Sequence, residues 1–364
     1  TGRTEKGNPI STADLDRLVT EVKSQHPLAG MTSADDEIYE SLVTKIKNLP
    51  TLPVVLTEIH SALRKEDANV LDVEELMSGD KSLTTTVLRV ANSAHFGLPK
   101  RVFSLNQAIS IMGFEEVQQI VLAASIISSF GKISERFFTL GNFWRHSIGV
   151  GLATNHIGKA LNTGVDERTL YTCGLLHDIG KASTKKLVKN IGWTFHGHEL
   201  RGSKMVKKIF LRLNMPLNHK LKYVQKIIFL SSRPIVLSED FVSDSAVRRL
   251  IYDSNDDIDD LLTLCEADIT TKNPNRLKKY LNNFKKVRQK IIEVEERDKV
   301  RNFQPPIGGE EIMKYFHLKP CKEIGIIKEF IKNSILDGKI ENNYKSARSL
   351  MIKKGVEMGL KKNR

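Results

Sequence analysis

One run of seven residues, Leu175-Leu176-His177-Asp178-Ile179-Gly180-Lys181, constrains this chain more than any other. Two Leu lead straight into an adjacent imidazole and carboxylate, and Gly closes the segment. An Asp that follows an apolar lead-in into the interior must be paired or bound to metal. Imidazole beside carboxylate suits Zn, Mn or Fe, or Mg with more oxygen donors. The plainer alternative is a helix end at which His and Asp cap their neighbours.

The residues before this run read as helices. Ile38, Leu42, Val43, Ile46 and Leu49 recur at helical spacing after a polar leader over 1–35 that we expect to be mobile. Pro50 and Pro53 break that pattern. Helices are then expected over Val54–Leu63, Val70–Met77, Leu83–Ala91 (capped by Asp80) and Val117–Phe130. Ser104 with Gln107 three residues on is a capping-box pattern for a helix that ends at Gly113. The segment 91–99, Ala-Asn-Ser-Ala-His-Phe-Gly-Leu-Pro, reads as a loop, and its His95 as a packed or capping residue. Strand signals are absent from this half. In the second half, Asn275–Glu296 is a long amphipathic helix. Glu310–Phe316, Cys321–Leu336 and Tyr344–Met358 follow, with Gly338 as a C-cap signal.

Charge divides the chain at the same run. Residues 1–180 hold 17 Lys and Arg against 21 Asp and Glu, a balance of −4; residues 181–364 hold 39 against 22, a balance of +17. A basic half favours a polyanion such as RNA, although a Lys-rich solvated surface explains the same count. No apolar run approaches the roughly 20 residues that cross a bilayer, and the first residues hold no signal-peptide core. A cytoplasmic protein without membrane contact is therefore expected. The chain begins at Thr1 rather than Met, which leaves its N-terminus open. Cys173, Cys265 and Cys321 lie far apart, against both a disulfide framework and a thiolate zinc site.

Two resemblances meet at the His-Asp run. Over about 41–181, LPTLPVVLTEIHSAL, GDKSLTTTVLRVANSAHFGLP and SLNQAISIMGFEEVQQIVLAAS resemble the HDOD module. That family is an all-helical relative of the HD phosphohydrolases, found in bacterial signalling proteins. Most HDOD modules have lost their metal ligands and are thought to act as non-catalytic regulatory domains. This chain departs from them in keeping His146 and the His177-Asp178 pair. Over about 183–360 the chain resembles the HD-containing body and tail of tRNA nucleotidyltransferases, the CCA-adding group. The residues that carry this likeness include Gly192-Trp193-Thr194-Phe195-His196-Gly197-His198-Glu199, Asp244-Ser245-Ala246-Val247-Arg248-Arg249-Leu250, the segment 257–268 and Phe303-Gln304-Pro305-Pro306-Ile307-Gly308-Gly309. The run is common to both lineages, so the chain reads as a chimera joined there.

These resemblances imply an all-α, HD-superfamily helical bundle. An HDOD-like subdomain over 36–135 would precede a composite HD-fold domain over 136–298 and a basic tail over 299–364. They imply a metal site of His146, His177, Asp178 and Asp268, in the order His…His-Asp…Asp. His198 would act as acid or base and Lys181 as a phosphate contact, with a surface lysine as the plain alternative. His196 offers the same chemistry as His198, with capping or solvation as its alternative. The divalent ion would be Mg, Mn, Ni, Zn or Fe. The nucleotidyltransferase relatives often carry a further His just before Arg233-Pro234. Ser231 and Ser232 stand here instead, which argues against a two-metal site. Lys278, Lys279, Lys285, Lys286, Arg288 and Lys290 would meet the phosphates of a tRNA-like RNA, or form a solvated helix face. The HDOD-like half would meet signalling proteins.

The sequence shows no Gly-Ser or Gly-Gly turn followed by an Asp-x-Asp pair, so this chain alone is not expected to add nucleotides. It also holds no P-loop, nucleophile elbow or dinucleotide fingerprint. The expected activity is a weak metal-dependent phosphohydrolase acting on a nucleotide or RNA phosphate. The alternatives are a non-catalytic signalling or RNA-binding module, and a piece of a tRNA nucleotidyltransferase.

Overall fold

The computed structural model describes residues 62, 70–78, 81–92, 101–129, 140–213, 215–239, 243–271, 273–301 and 303–360. The leader, the helix from Asp36, nearly all of that expected over Val54–Leu63, the Asp80 cap, His95 and Phe130 lie outside the described residues. The chain divides into two compact units. The first comprises Thr1–Ser232 with Asp259–Leu277, and the second Arg233–Ile258 with Lys278–Arg364.

The first unit is helical. It contains α1 (Val70–Ser78), α2 (Lys81–Ala91), α3 (Leu105–Met112), α4 (Phe114–Ser129), α5 (Leu140–Leu161) and α6 (Glu167–Leu176). These are followed by α7 (Lys181–Thr184), a hairpin of β1 (Lys186–Val188) and β2 (Gly192–Thr194), α8 (His198–Arg212) and α9 (His219–Leu230). The hairpin is a departure from the helical reading. Three residues per strand are too few to give a period-two signal. Local chemistry sets several boundaries. Ser104 Oγ accepts from Gln107 N at 3.2 Å and starts α3, while Gln107 Oε1 accepts from Phe103 N at 3.5 Å instead of closing the box on Ser104. Asp166 Oδ1 accepts from Thr169 N at 3.2 Å and starts α6. Among the described residues no single helix is long and apolar enough to cross a membrane; α3 with α4 passes only as a pair bent by 111°.

Helix α6 is buried from Thr169 to Leu176, so it runs through the core and not over it. It lies antiparallel to α5, and glycines let the two backbones touch. A Cβ on Gly174 would fall 2.5 Å from the Cα of Gly151, and one on Gly158 would fall 2.4 Å from the Leu170 side chain. This approach has a direct consequence for chemistry. Going from Gly151 back to His146 on α5, and from Gly174 on to His177 after α6, moves along both helices toward the same end.

The second unit holds α10 (Arg233–Glu239), α11 (Asp244–Ser254), most of α13 (Pro274–Asp298), α14 (Gly309–Phe316), α15 (Lys322–Leu336) and α16 (Tyr344–Glu357). A further helix, α12 (Ile258–Ala267), starts at its border and otherwise belongs to the first unit. Leu281, Phe284, Val287, Ile291 and Val294 bury one stripe of α13 at three- and four-residue spacing. Gly338 sits at φ +70°, its N–H donating to Ile335 O at 2.9 Å, and so closes α15 as a left-handed glycine should. Arg248 Nε donates to Asp298 Oδ2 at 2.7 Å, and Arg249 Nη2 to Asp337 Oδ1 at 2.6 Å. The Arg297 side chain, then Arg248, hold the Asp298 carboxyl down at about 2, against the upward push of its partial burial.

Two outcomes follow from this packing. Gly174→Ala forces α5 off α6 and should cost about 1–3 kcal/mol, read as a lower midpoint in thermal unfolding; an unchanged midpoint would contradict the close approach. Asp298 has a depressed pKa, so its stabilisation is present above the unfolded carboxylate value and fades as pH falls from about 4 toward 2. Asp298→Asn should therefore lower stability at neutral pH by on the order of 1–2 kcal/mol, and flatten the acid limb of the unfolding profile. A limb of unchanged steepness would count against it.

Candidate metal centre

The described residues gather one site from four places in the first unit. His146 projects from α5. His177 and Asp178 follow α6 in a turn, with Ile179 N donating to Leu176 O at 3.1 Å and Lys181 N to Asp178 O at 2.8 Å. Asp268 ends α12, its N–H donating to Leu264 O at 2.9 Å. His198 opens α8. The turn and the start of α8 meet so closely that only glycine fits between them, since a Cβ on Gly180 would lie 2.0 Å from His198 O. Ile179, fully buried, anchors the turn from below.

Donor atoms of His146, His177 and Asp178 lie within 4.8 Å of one another, and Asp268 Oδ1 approaches both imidazoles. His146 Nε2 lies 3.2 Å from His177 Nε2, 3.5 Å from Asp178 Oδ2 and 3.1 Å from Asp268 Oδ1. His177 Nε2 lies 3.3 Å from Asp178 Oδ2 and 3.4 Å from Asp268 Oδ1. Around one ion with bonds near 2.1 Å, neighbouring ligand atoms stand about 3.0 Å apart in an octahedron and about 3.4 Å in a tetrahedron. The five separations, each of which involves an imidazole, are 3.1–3.5 Å and lie within about 0.1 Å of that range. His177 Nδ1 donates to Gly174 O at 2.6 Å. In the neutral ring this leaves the Nε2 lone pair facing His146 and the two carboxylates, which is how a second interaction orients a ligating His. A proton on His146 Nε2, or a metal ion between the two nitrogens, would satisfy the 3.2 Å approach of the rings. The residues present therefore fit a divalent ion of the mixed nitrogen–oxygen class.

Burial and charge work against each other here. His177 and Asp178 are almost fully buried, while His146 and Asp268 are about a quarter exposed and form the open side. Burial alone pushes the His177 imidazole down, but Asp178 and Asp268 together hold it well above its ordinary value. Burial likewise lowers His146, and bonds to Asp178 and Asp268 more than offset it. Burial pushes both carboxyls up; the His177 charge and the His146 bond bring Asp178 well below the carboxylate range, and Asp268 below it as well. Each of these shifts favours the charged form of its group, imidazolium for the two His and carboxylate for the two Asp.

Two further groups surround Asp178. Lys181 Nζ pairs with its Oδ2 at 2.5 Å, and His198 Nε2 lies 3.5 Å from its Oδ1. His198 Nδ1 donates to Phe195 O at 3.0 Å, so the other nitrogen faces the site. His196, two residues earlier, is exposed. Sequence reasoning missed the contacts that orient this shell. The Gly174 and Phe195 carbonyls carry no side-chain signature. Glu199 accepts from the Ser232 hydroxyl, where the resemblance expects a further His. Ser231 turns inward, its Oγ donating to Ile228 O at 2.9 Å.

The six basic residues expected to meet RNA all lie in the second unit, on α13. Lys278, Lys279 and Lys286 are exposed, whereas Lys290 Nζ is held by Asp244 Oδ1 at 2.9 Å. Lys285 and Arg288 are half-buried.

Residues 49–192 match the HDOD domain family model and residues 143–271 match the HD domain. The two matches overlap across α5, α6 and the His-Asp turn. The fold is thus an all-α HD fold. An uncharacterized protein of Treponema pallidum (strain Nichols) is 28% identical over 141 residues, 39% of this chain and 27% of the relative. The uncharacterized protein YuxH of Bacillus subtilis (strain 168) is 32% identical over 91 residues, 25% of this chain and 20% of the relative. The chain thus spans about a quarter or less of the length of the curated relatives it matches. Among solved structures, a Shewanella amazonensis SB2B protein named "Putative phosphohydrolase" is similar at 19% identity and TM-score 0.38, over 87% of this chain and 96% of that one.

A metal must displace protons from the imidazoles, so its affinity should weaken as pH falls. The raised His177 and His146 values extend that competition above the ordinary imidazole range. The purified protein should bind about one divalent ion per chain, and His177→Ala or Asp178→Ala should lose it. Equal metal content in these variants, measured by elemental analysis, would exclude the site.

Proposed function

We propose that the protein is a metal-dependent phosphohydrolase of low turnover acting on a nucleotide or RNA phosphate, through the cluster that lies within its HD-domain match. One observation carries this reading: His146 from α5 and His177 and Asp178 from the α6 turn offer nitrogen and oxygen donors that all lie within 4.8 Å of one another, with Asp268 Oδ1 3.1 and 3.4 Å from the two imidazoles. His146, His177, Asp178 and Asp268 would hold Mg, Mn, Ni, Zn or Fe. Such an ion supplies an acidified water and polarises a phosphoryl oxygen.

The chain's own groups would do the rest. The Gly174 carbonyl keeps the His177 proton on Nδ1, so Nε2 stays available as a ligand. Lys181, held by Asp178 and about a third exposed, offers a point charge to a phosphate oxygen. His198, its Nδ1 tied to Phe195 O, presents Nε2 to hold or deliver the proton that the leaving alkoxide needs. The Ser232–Glu199 contact occupies the place of a further His and favours a single ion, consistent with modest catalysis.

A second reading rests on the exposure of Lys278, Lys279 and Lys286 on α13. These side chains would position a tRNA-like RNA by its phosphates, as the nucleotidyltransferase likeness implies. Signalling partners for the HDOD-like half and a join at the His-Asp run belong to the same set of proposals, and a cytoplasmic setting would suit all of them.

Phosphate release from nucleotides and cyclic nucleotides, assayed with added Mn, Ni, Mg or Zn, checks the hydrolase. His198→Gln should lower kcat by about 100- to 10,000-fold at unchanged metal content. No release with any of these metals would sink the reading. RNA binding, if it occurs, should weaken steeply with salt, and substitution of Lys278, Lys279 and Lys286 should reduce that slope.

A further inference from the structure

The hairpin between the His-Asp turn and His198 has no role in holding metal, yet its composition and place are unusual. Its strands pair Lys186 with Thr194, Leu187 with Trp193 and Val188 with Gly192. The pleat puts Leu187 and Trp193 on one face, and Lys185 and Phe195 extend that face toward the base. Lys185 Nζ lies 4.5 Å from the Trp193 ring centre, and Lys181 Nζ lies 5.9 Å from that of Phe195. Trp193 is 46% exposed, Leu187 61% and Ile191 73%. A two-stranded ribbon gains little stability from such exposed apolar groups. Between Asp178 and Glu199 the chain carries Lys181, Lys185, Lys186 and Lys189 and no acidic residue.

This face is continuous with the metal centre. Lys181 touches both the Phe195 ring and Asp178. The Phe195 carbonyl holds His198 at 3.0 Å and accepts from Thr184 Oγ1 at 3.4 Å, which ties the returning strand to the turn after Gly180. Exposed aromatic rings flanked by lysines are the surface on which unpaired bases stack.

We propose that this hairpin is the base-binding platform of the site. Trp193, with Phe195 beneath it, stacks the nucleobase of a nucleotide whose phosphate lies at His146, His177, Asp178 and Asp268, with Lys181 and Lys185 beside the phosphate and sugar. The inference rests on the hydrolase reading for where the phosphate sits, and it makes Trp193 the residue that selects nucleotides over other phosphate esters. An apolar, lysine-rich hairpin also suits an anionic lipid surface. That alternative leaves unexplained why the aromatic face runs to Lys181 and why its last carbonyl orients His198.

The chain has two tryptophans, and Trp144 is only 2% exposed, so quenching of the accessible emission reports on Trp193. The full-length, metal-loaded protein is titrated with adenosine monophosphate and, in parallel, with ribose 5-phosphate. Saturable quenching by the nucleotide alone is expected. Trp193→Ala should weaken nucleotide affinity and raise KM by about 5- to 100-fold with kcat little changed, Trp193→Phe should restore both, and ribose 5-phosphate constants should not move. Quenching without phosphate release would uphold the platform and sink the hydrolase. Release from both substrates with equal constants, or a silent Trp193→Ala, would overturn the platform and leave the hydrolase standing. Quenching by phosphatidylserine-containing vesicles but not by the nucleotide would overturn it in favour of lipid.

Discussion

The burial of one ionised pair governs this structure. Asp178 is 4% exposed and His177 3%. A charge placed there without partners would cost several kcal/mol, far more than a solvent-exposed ion pair returns. Several contacts of the first unit compensate that burial. His146, Lys181 and His198 surround the Asp178 carboxylate, Asp268 faces both imidazoles, and the Gly174 carbonyl accepts from His177 Nδ1. The packing follows from the same need. Gly151 and Gly174 bring α5 onto α6 so that His146 reaches the turn, and Gly180 lets α8 begin against it.

How far the chain could be read in advance depends on whether the determining contacts are local. The His177-Asp178 pair is legible because both groups are adjacent and preceded by Leu175 and Leu176. Ser104 and Gly338 are legible because a cap acts within a few residues, and α13 because its buried stripe repeats at helical spacing. His146 and Asp268 sit 31 residues before His177 and 91 after it; their helical stretches with apolar neighbours suit a core-facing side chain, but only the family resemblance joins them to the His-Asp pair. The glycines that set the α5–α6 approach were invisible, since a glycine inside a helix signals lost propensity rather than a close neighbour. The hairpin escaped notice for the same kind of reason, with strands too short to show alternation. On α13, spacing marks which basic residues face outward but not which of them a carboxylate captures, as Asp244 captures Lys290.

The overlap of the HDOD and HD matches falls on the elements that carry the cluster, α5, α6 and the His-Asp turn. An HDOD-like front therefore feeds a site with its imidazoles and carboxylates intact, whereas the resemblance to HDOD modules would have implied their loss. The same turn supports Lys181 on one side and the hairpin on the other. Half of the metal ligands, His177 and Asp178, together with the phosphate contact and the base-stacking face would be carried by one stretch of chain, from His177 to His198. A single substitution that loosens the turn should then impair all three together, while one on the hairpin face should spare the metal.

The most direct measurement is a diffraction experiment on crystals soaked in Mn, recorded so that the anomalous signal locates the ion. The cluster predicts one peak about 2.0–2.3 Å from His146 Nε2, His177 Nε2 and a carboxylate oxygen each of Asp178 and Asp268. A peak elsewhere, or none at saturating Mn with the four side chains in place, would contradict the metal centre on which the functional reading stands.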